Sequence, residues 1–535
     1  MKDTAANNVM EEPLIKLKKG PLITVTLTIL LTYVFDLFVG SVTGVATPSI
    51  IAELGGMHFY ALTITTFMLG GSIGRIVSGK LGDLYGRKLI LQIALLSFAI
   101  SSILCGLSNS IMMLVIFKAL LGTAGGFLYT TCYAMIADFY GPTKRVKVLG
   151  YLASMIGVCY ILGPLVGGYI VDTLSWRWLY IIPAPFLLLS SLLIHKTLPS
   201  VKKTVKVTID YTGILLLCTA VVPFLLVLTW GGTKYSWGSP IMIVFYLISI
   251  LSLIAFVYVE RKAVEPLLPL SLLKNRSFLL PTFCYAIACY GVVIYVSYIP
   301  LYGQAVKGMS ASASGSLITP LMIFTIISTQ VTSMIIAKTG RYKTMLLFLF
   351  VWTSIIMYLI SGFNENSSLP YLYSVLCMVG VSMGAFNVIF VTYLQNHLPH
   401  KQVGVATGAL YFFGNIAGVI ALSIAGLIMN TMWQIDKYMP QRLKEELPDS
   451  GINLMSSTQT LTNKQAAAEL RSQLPSELHG VFDSTILEMK AVLVQIFDYV
   501  YLINAGLSIL AVFVIAIFFK EKKVRKQKIE AEESV

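Results

Sequence analysis

Apolar residues fall into fourteen runs along the chain, at roughly 22–46, 58–78, 89–107, 111–135, 148–171, 178–195, 211–230, 239–259, 278–301, 313–335, 344–362, 370–394, 403–428 and 498–519. One helical crossing of a bilayer core needs roughly 20 apolar residues. The pattern therefore predicts an all-α polytopic membrane protein of fourteen transmembrane helices. Composition agrees: of 535 residues, 56% are hydrophobic and 12% charged, with a mean hydropathy of +0.79. Soluble globular chains carry about 25% charged residues, so a large soluble enzyme, a disulfide scaffold and a disordered chain are excluded.

A net charge of +14 (39 basic against 25 acidic residues) would suit a nucleic-acid partner if it were gathered on one face. It is spread over short loops instead, so no nucleic acid is expected, and the lipid bilayer is the surface it addresses. Lys and Arg accumulate in cytoplasmic loops. With the N-terminus inside, 28 of the 39 basic residues lie on that side, and the short outer loops hold Arg177, Lys234 and Lys307. Both termini are expected to be cytoplasmic. The seven cysteines sit inside apolar runs and read as small buried hydrophobes, with no metal site. The first run is too long for a cleaved signal segment.

The two halves echo each other at an offset near 255. Gly86-Arg87-Lys88 returns as Gly340-Arg341-Tyr342-Lys343, and Gly122 and Gly126 return as Gly380 and Gly384. This predicts two six-helix bundles, 22–195 and 277–519, with two inserted helices in 196–276. Parallel six-helix halves are a transporter architecture. Short tails, 1–21 and 520–535, flank them. Segment 430–497 is polar, carries Pro440, Pro448 and Pro475, and reads as an outer helical cap or a solvated linker.

The loop after the second run reads Gly79-Lys80-Leu81-Gly82-Asp83-Leu84-Tyr85-Gly86-Arg87-Lys88. Asp83 and Arg87 would lie i,i+4 if the turn stayed helical. This stretch resembles the G-x-L-a-D-r-x-G-r-k signature of the major facilitator superfamily. The resemblance implies a conformational lock on the cytoplasmic side, formed here by Asp83 and Arg87 with Asp138 as partner. An overlapping stretch, Gly74 to Lys80, imitates a P-loop, but Leu81 replaces the required Ser or Thr and no strand precedes it. No ATP or other cofactor is expected, and the proton gradient is the implied energy source.

In the fifth run, Gly163-Pro164-Leu165-Val166-Gly167-Gly168 allows close helix contact and removes one backbone bond at Pro164. Packing alone could account for it. It also resembles the G-x-x-x-G-P-x-x-G-G element of the superfamily's exporters, with Cys159 in place of the first glycine. That resemblance implies an antiporter.

Asp36 is the one acid deep in an apolar run, about 15 Å from its outer end. An intramembrane carboxylate marks an ion or substrate path by default, and its protonated form is favoured away from water. The stretch from Asp36 to Pro48 loosely resembles the first-span signature of the 14-span drug:proton antiporter branch. Lys118, before Gly122, stands where the superfamily's R-x-x-q-G element, which this stretch resembles, carries an arginine implicated in proton transfer. Asp36 and Lys118 are therefore the candidates for proton and substrate coupling, at comparable depth on neighbouring helices. Arg75 is expected to reach the inner interface. Aromatic faces suit lipophilic cations, and Tyr33, Tyr129, Tyr290, Tyr298, Phe386 and Asn387 are candidate substrate contacts.

The expected protein is a monomeric bacterial plasma-membrane antiporter that exports a small amphipathic compound, cationic or lipophilic, against proton entry. Two alternatives stay open: a dedicated exporter of a metabolite, lipid or siderophore, and a proton-coupled nutrient importer. An enzyme is not expected, because the spans hold no His-rich or paired-carboxylate cluster.

Overall fold

The computed structural model describes residues 18–56, 59–140, 142–198, 211–231, 235–263, 270–398, 400–433, 439–447 and 459–519 apart from 463, together with Ile452 and Met455. Most of the 1–21 tail, the 520–535 tail, Lys234, the loop 199–210 and much of 434–458 lie outside the described residues. The described chain is helical and contains no β-strand; one isolated bridge joins Gly231 and Tyr235.

Among the described residues, eleven helices are long and apolar enough to cross a membrane. The runs 58–78, 148–171 and 211–230 also fall in helices, Tyr60–Tyr85, Pro142–Thr173 and Tyr211–Trp230. In the first half, α1 (Lys19–Leu54), α2 (Tyr60–Tyr85), α3 (Arg87–Gly106), α4 (Ile111–Phe139) and α5 (Pro142–Thr173) each carry one run. The sixth run is split into α6 (Arg177–Ile181) and α7 (Pro183–Thr197), because Pro183 supplies no backbone N–H to continue the ladder. Ser110 starts α4 by accepting a hydrogen bond from the Met113 amide at 3.3 Å. The inserted helices α8 (Tyr211–Trp230) and α9 (Pro240–Lys262) pack on each other, and α8 touches α2.

Next come α10 (Leu270–Leu273) and α11 (Arg276–Leu301), which runs into a buried π-helical turn at Tyr302–Val306. They are followed by α12 (Ala311–Ser316), α13 (Ile318–Thr339), α14 (Tyr342–Ser361), α15 (Leu369–His397) and α16 (His400–Met432). Among the described residues, the short α-helices α17 (Gln441–Glu446), α18 (Gln459–Thr462) and α19 (Lys464–Gln473) and a 3-10 turn at Ser476–Leu478 then precede the last helix. Finally α20 (His479–Phe518) runs for 40 residues, about 60 Å at 1.5 Å per residue.

Packing divides the chain into two units: Met1–Pro269 with Val293–Thr319 and Val419–Ile496, and Leu270–Val292 with Pro320–Gly418 and Phe497–Val535. Each contains the same glycine seam. In the first, a Cβ on Gly122 would stand 2.0 Å from the Phe67 carbonyl oxygen, and one on Gly126 would stand 2.3 Å from that of Gly71. In the second, Gly380 and Gly384 would meet the carbonyls of Leu321 and Thr325 at 2.2 and 2.1 Å. Glycine is required at all four positions because backbone faces backbone.

Candidate functional site

Within the first unit, α1, α2 and α4 gather one acid, one base and three tyrosines. Asp36 lies in the middle of α1, buried at 8% exposure, against Gly125 of α4. A Cβ at 125 would stand 2.4 Å from its Oδ1, so the glycine makes room for the carboxylate. Three residues earlier on the same helix face, the Tyr33 ring lies 5.7 Å from both Tyr129 and Tyr133. Those two rings stack at 5.0 Å, and the Tyr33 and Tyr133 hydroxyls stand 3.3 Å apart.

Arg75 completes the cluster. Its guanidinium carbon lies 4.4 Å from the Tyr129 ring centroid, and it is the charged side chain acting on the Asp36 carboxyl. Helix α2 continues to Tyr85, which leaves Arg75 ten residues, about 15 Å, inside it. Tyr133 and Arg75 were missed as site residues. The signal was present: Tyr129 and Tyr133 stand i,i+4 on one face of α4, and an arginine inside an apolar helix needs a polar or aromatic partner.

Lys118 does not join them. It makes no ion pair with Asp36, which faces Gly125, seven residues and about 10 Å further along α4. The Lys118 side chain is fully buried, and its Nζ has no hydrogen-bond partner among the described residues. It lies 5.7 Å from the Tyr180 ring centroid, near Cys105.

At the other end of α2 the turn is not helical. Gly86 has φ +90°, a conformation that suits glycine, so Arg87 begins α3 rather than continuing an i,i+4 register with Asp83. Arg87 pairs with Asp138 at 2.7 Å and also donates to the Ala134 carbonyl. Lys88 donates to the carbonyls of His195, at 2.8 Å, and Leu198. Gly82 is buried with room for a Cβ, whose nearest neighbour would be Arg87 at 3.5 Å. Gly79 and Asp83 fall within α2; the side-chain surroundings of both lie outside the described residues.

The Gly-Pro run of α5 meets two elements. Cβ atoms at 163 and 167 would strike Ser41 and Val42 of α1, and one at 168 would stand 2.4 Å from the Ser312 Cα. Pro164 lies inside α5, its carbonyl oxygen 2.5 Å from a Cβ built at Gly315. One turn beyond Gly168, Asp172 accepts hydrogen bonds from the amides of Ala311 and Ser312. The π-helical turn sets Gln304 against α1: its Nε2 donates to the Val45 carbonyl at 2.9 Å, and Ser49 donates to its Oε1 at 3.3 Å. Tyr60 donates to the Ser297 carbonyl at 2.6 Å, with Tyr298 buried against it at 5.4 Å.

In the second unit, Phe386 packs between Phe350 and Phe390 at 4.5 and 6.1 Å and is buried. Asn387 is exposed beside the Tyr411 hydroxyl, and Tyr290 is buried with its hydroxyl unpartnered among the described residues. Asp498, missed as an intrahelical acid, lies near the middle of α20.

The sequence profile described as Major Facilitator Superfamily matches residues 29–422. The chain belongs to that superfamily. It is 30% identical over 399 residues to the multidrug transporter protein MdtP of Bacillus subtilis (strain 168), covering 74% of this chain and 73% of MdtP. It is also 32% identical over 369 residues to the MFS-type transporter Rv1877 of Mycobacterium tuberculosis (strain ATCC 25618 / H37Rv), covering 69% of this chain and 54% of that relative. Among solved structures, a bacterial homolog of the human lysosomal transporter Spinster, in an inward-facing and unoccupied conformation, superimposes with a TM-score of 0.65. That match is 14% identical and covers 94% of this chain and 99% of the other. A superfamily member of this kind is a membrane transport protein and not an enzyme.

Proposed function

We propose that this transporter is a proton-coupled efflux antiporter for small amphipathic compounds, driven by the proton gradient and working by alternating access of two six-helix repeats. The observation that carries this reading is Asp36, a buried carboxyl in the middle of α1 and one turn from Tyr33, whose ring meets those of Tyr129 and Tyr133. A carboxylate there attracts a proton or an organic cation but not both, and such competition is what antiport requires. Protons entering from outside neutralise Asp36 and release substrate; loss of the proton inside reloads it. Lys118 contributes to the proton path from its separate buried position, and Arg87 with Asp83 and Asp138 forms the cytoplasmic lock. Resemblance to a protein named as a multidrug transporter supports export, as does the Gly-Pro run of α5. The reading places fourteen spans in a bacterial plasma membrane, with cytoplasmic termini and a monomeric chain.

The test is reconstitution into vesicles holding a trapped pH dye, under an inward-acid gradient, with lipophilic monocations added one at a time. Cation-triggered proton efflux that disappears in Asp36→Asn establishes antiport and its coupling site. A response that survives in the variant removes Asp36 from the mechanism. Silence of folded wild-type protein toward every cation favours a dedicated metabolite exporter.

A further inference from the structure

Arg75 has an unusual position for a charged side chain inside an apolar helix. Its backbone is held to α4: Thr130 donates to the Arg75 carbonyl at 3.1 Å, and a Cβ on Gly126 would stand 2.7 Å from the Arg75 nitrogen. The guanidinium is the movable part. It is exposed, makes no ion pair within 4.0 Å among the described residues, and lies on the face of Tyr129.

A ring face that holds one delocalised cation can hold another, because the attraction comes from the ring quadrupole and not from a shape specific to arginine. Tyr33, Tyr129 and Tyr133 offer three such rings within 5.7 Å of one another, and Asp36 sits one turn from Tyr33. Two cations cannot share the Tyr129 face, since like charges a few ångströms apart repel. We propose that Arg75 is a resident competitor, and that a monovalent lipophilic cation binds the tyrosine trio by displacing the guanidinium from Tyr129. Arg75 then sets the affinity threshold of the site, and the trio sets its preference for delocalised over compact cations. This inference rests on the exporter reading above.

Displacement gives an unusual sign: removing a charged residue from the site tightens binding. Equilibrium dialysis of tetraphenylphosphonium against the purified full-length protein reads it directly. Arg75→Gln is expected to bind about tenfold more tightly than wild type, the scale of one lost competing contact. Arg75→Lys, without a planar group to stack, is expected to fall between them. Tyr129→Leu is expected to bind more weakly than wild type, because it removes the face itself.

Unchanged or weaker binding in folded Arg75→Gln overturns the competitor role while leaving the exporter reading intact. If 2-naphthoate binds wild type and is lost in Arg75→Gln, the guanidinium holds an anion and the proposal is overturned. Absence of tetraphenylphosphonium binding in both wild type and Arg75→Gln, each monodisperse, removes the cationic-substrate reading beneath it. If Arg75→Gln does not fold, the Arg75→Lys comparison decides: an affinity equal to or below wild type rejects displacement.

Discussion

The Asp172 carboxylate caps the helix that begins at Ala311, with Oδ1 2.9 Å from the Ala311 amide and Oδ2 2.8 Å from that of Ser312. A charged acceptor on two otherwise unpaired helix amides is a strong form of capping. Asp172→Ala is expected to destabilise the protein by about 1 kcal/mol, the ordinary cost of a lost cap. Asp172→Asn, which keeps one acceptor, should fall between the two. Thermal unfolding in a single detergent checks the ranking; equal melting temperatures for all three would show that the cap contributes nothing.

Arg87 and Asp138 pair across α3 and α4 at 2.7 Å, with Asp138 nearly buried. Removing one partner strands the other, which costs more than the pair contributes. Arg87→Glu and Asp138→Arg should each reduce transport by tenfold or more, on the scale of about 1.4 kcal/mol per decade. The double exchange should recover a substantial part, which substrate efflux from cells expressing each variant would reveal. A double variant no better than the singles argues against a pairwise lock.

Glycine substitution should separate by geometry rather than by position in the sequence. Gly122→Ala and Gly380→Ala place a methyl 2.0 and 2.2 Å from backbone oxygens that cannot rotate away. Overpacking of this kind costs about 1–3 kcal/mol. Gly71→Ala meets its nearest oxygen at 3.5 Å and should be tolerated. Gel-filtration recovery of the three variants distinguishes them.

Lys118→Met is expected to stabilise the protein and to impair coupled transport. A buried ammonium with no hydrogen-bond partner among the described residues opposes folding, whereas Met fills similar volume without charge. A raised melting temperature with lost proton-coupled efflux is the expected combination. A lowered melting temperature would mean that the Lys118 charge is stabilising where it stands.

The helices were legible in the sequence because each crossing needs an uninterrupted apolar run. The glycine seam was legible because Gly122 with Gly126 and Gly380 with Gly384 share a four-residue spacing and an offset near 255. Side-chain neighbours were less legible. Comparable depth on neighbouring helices made Asp36 and Lys118 joint coupling candidates, but which residue Asp36 meets depends on helix rotation. Gly125 faces it, and Arg75 from α2 is the cation that acts on it. The end of the second helix was hidden for a related reason: the polar residues after 78 end the apolar run, whereas α2 continues through them to Tyr85. The turn at Gly86, likewise, is a backbone conformation that a helical register count cannot detect.

The inserted hairpin of α8 and α9 sits differently in its surroundings. Ile243, Val244, Leu247, Ile250, Leu251 and Ile254 of α9 are all exposed, an apolar surface suited to acyl chains. At 23 residues α9 is about 35 Å long, somewhat more than a typical hydrocarbon thickness of about 30 Å. Thinning the bilayer would tilt this hairpin before it strained the glycine seams of the bundle. Lipid thickness is thereby a variable to which one pair of helices responds first, through its contact with α2, the helix that carries Arg75.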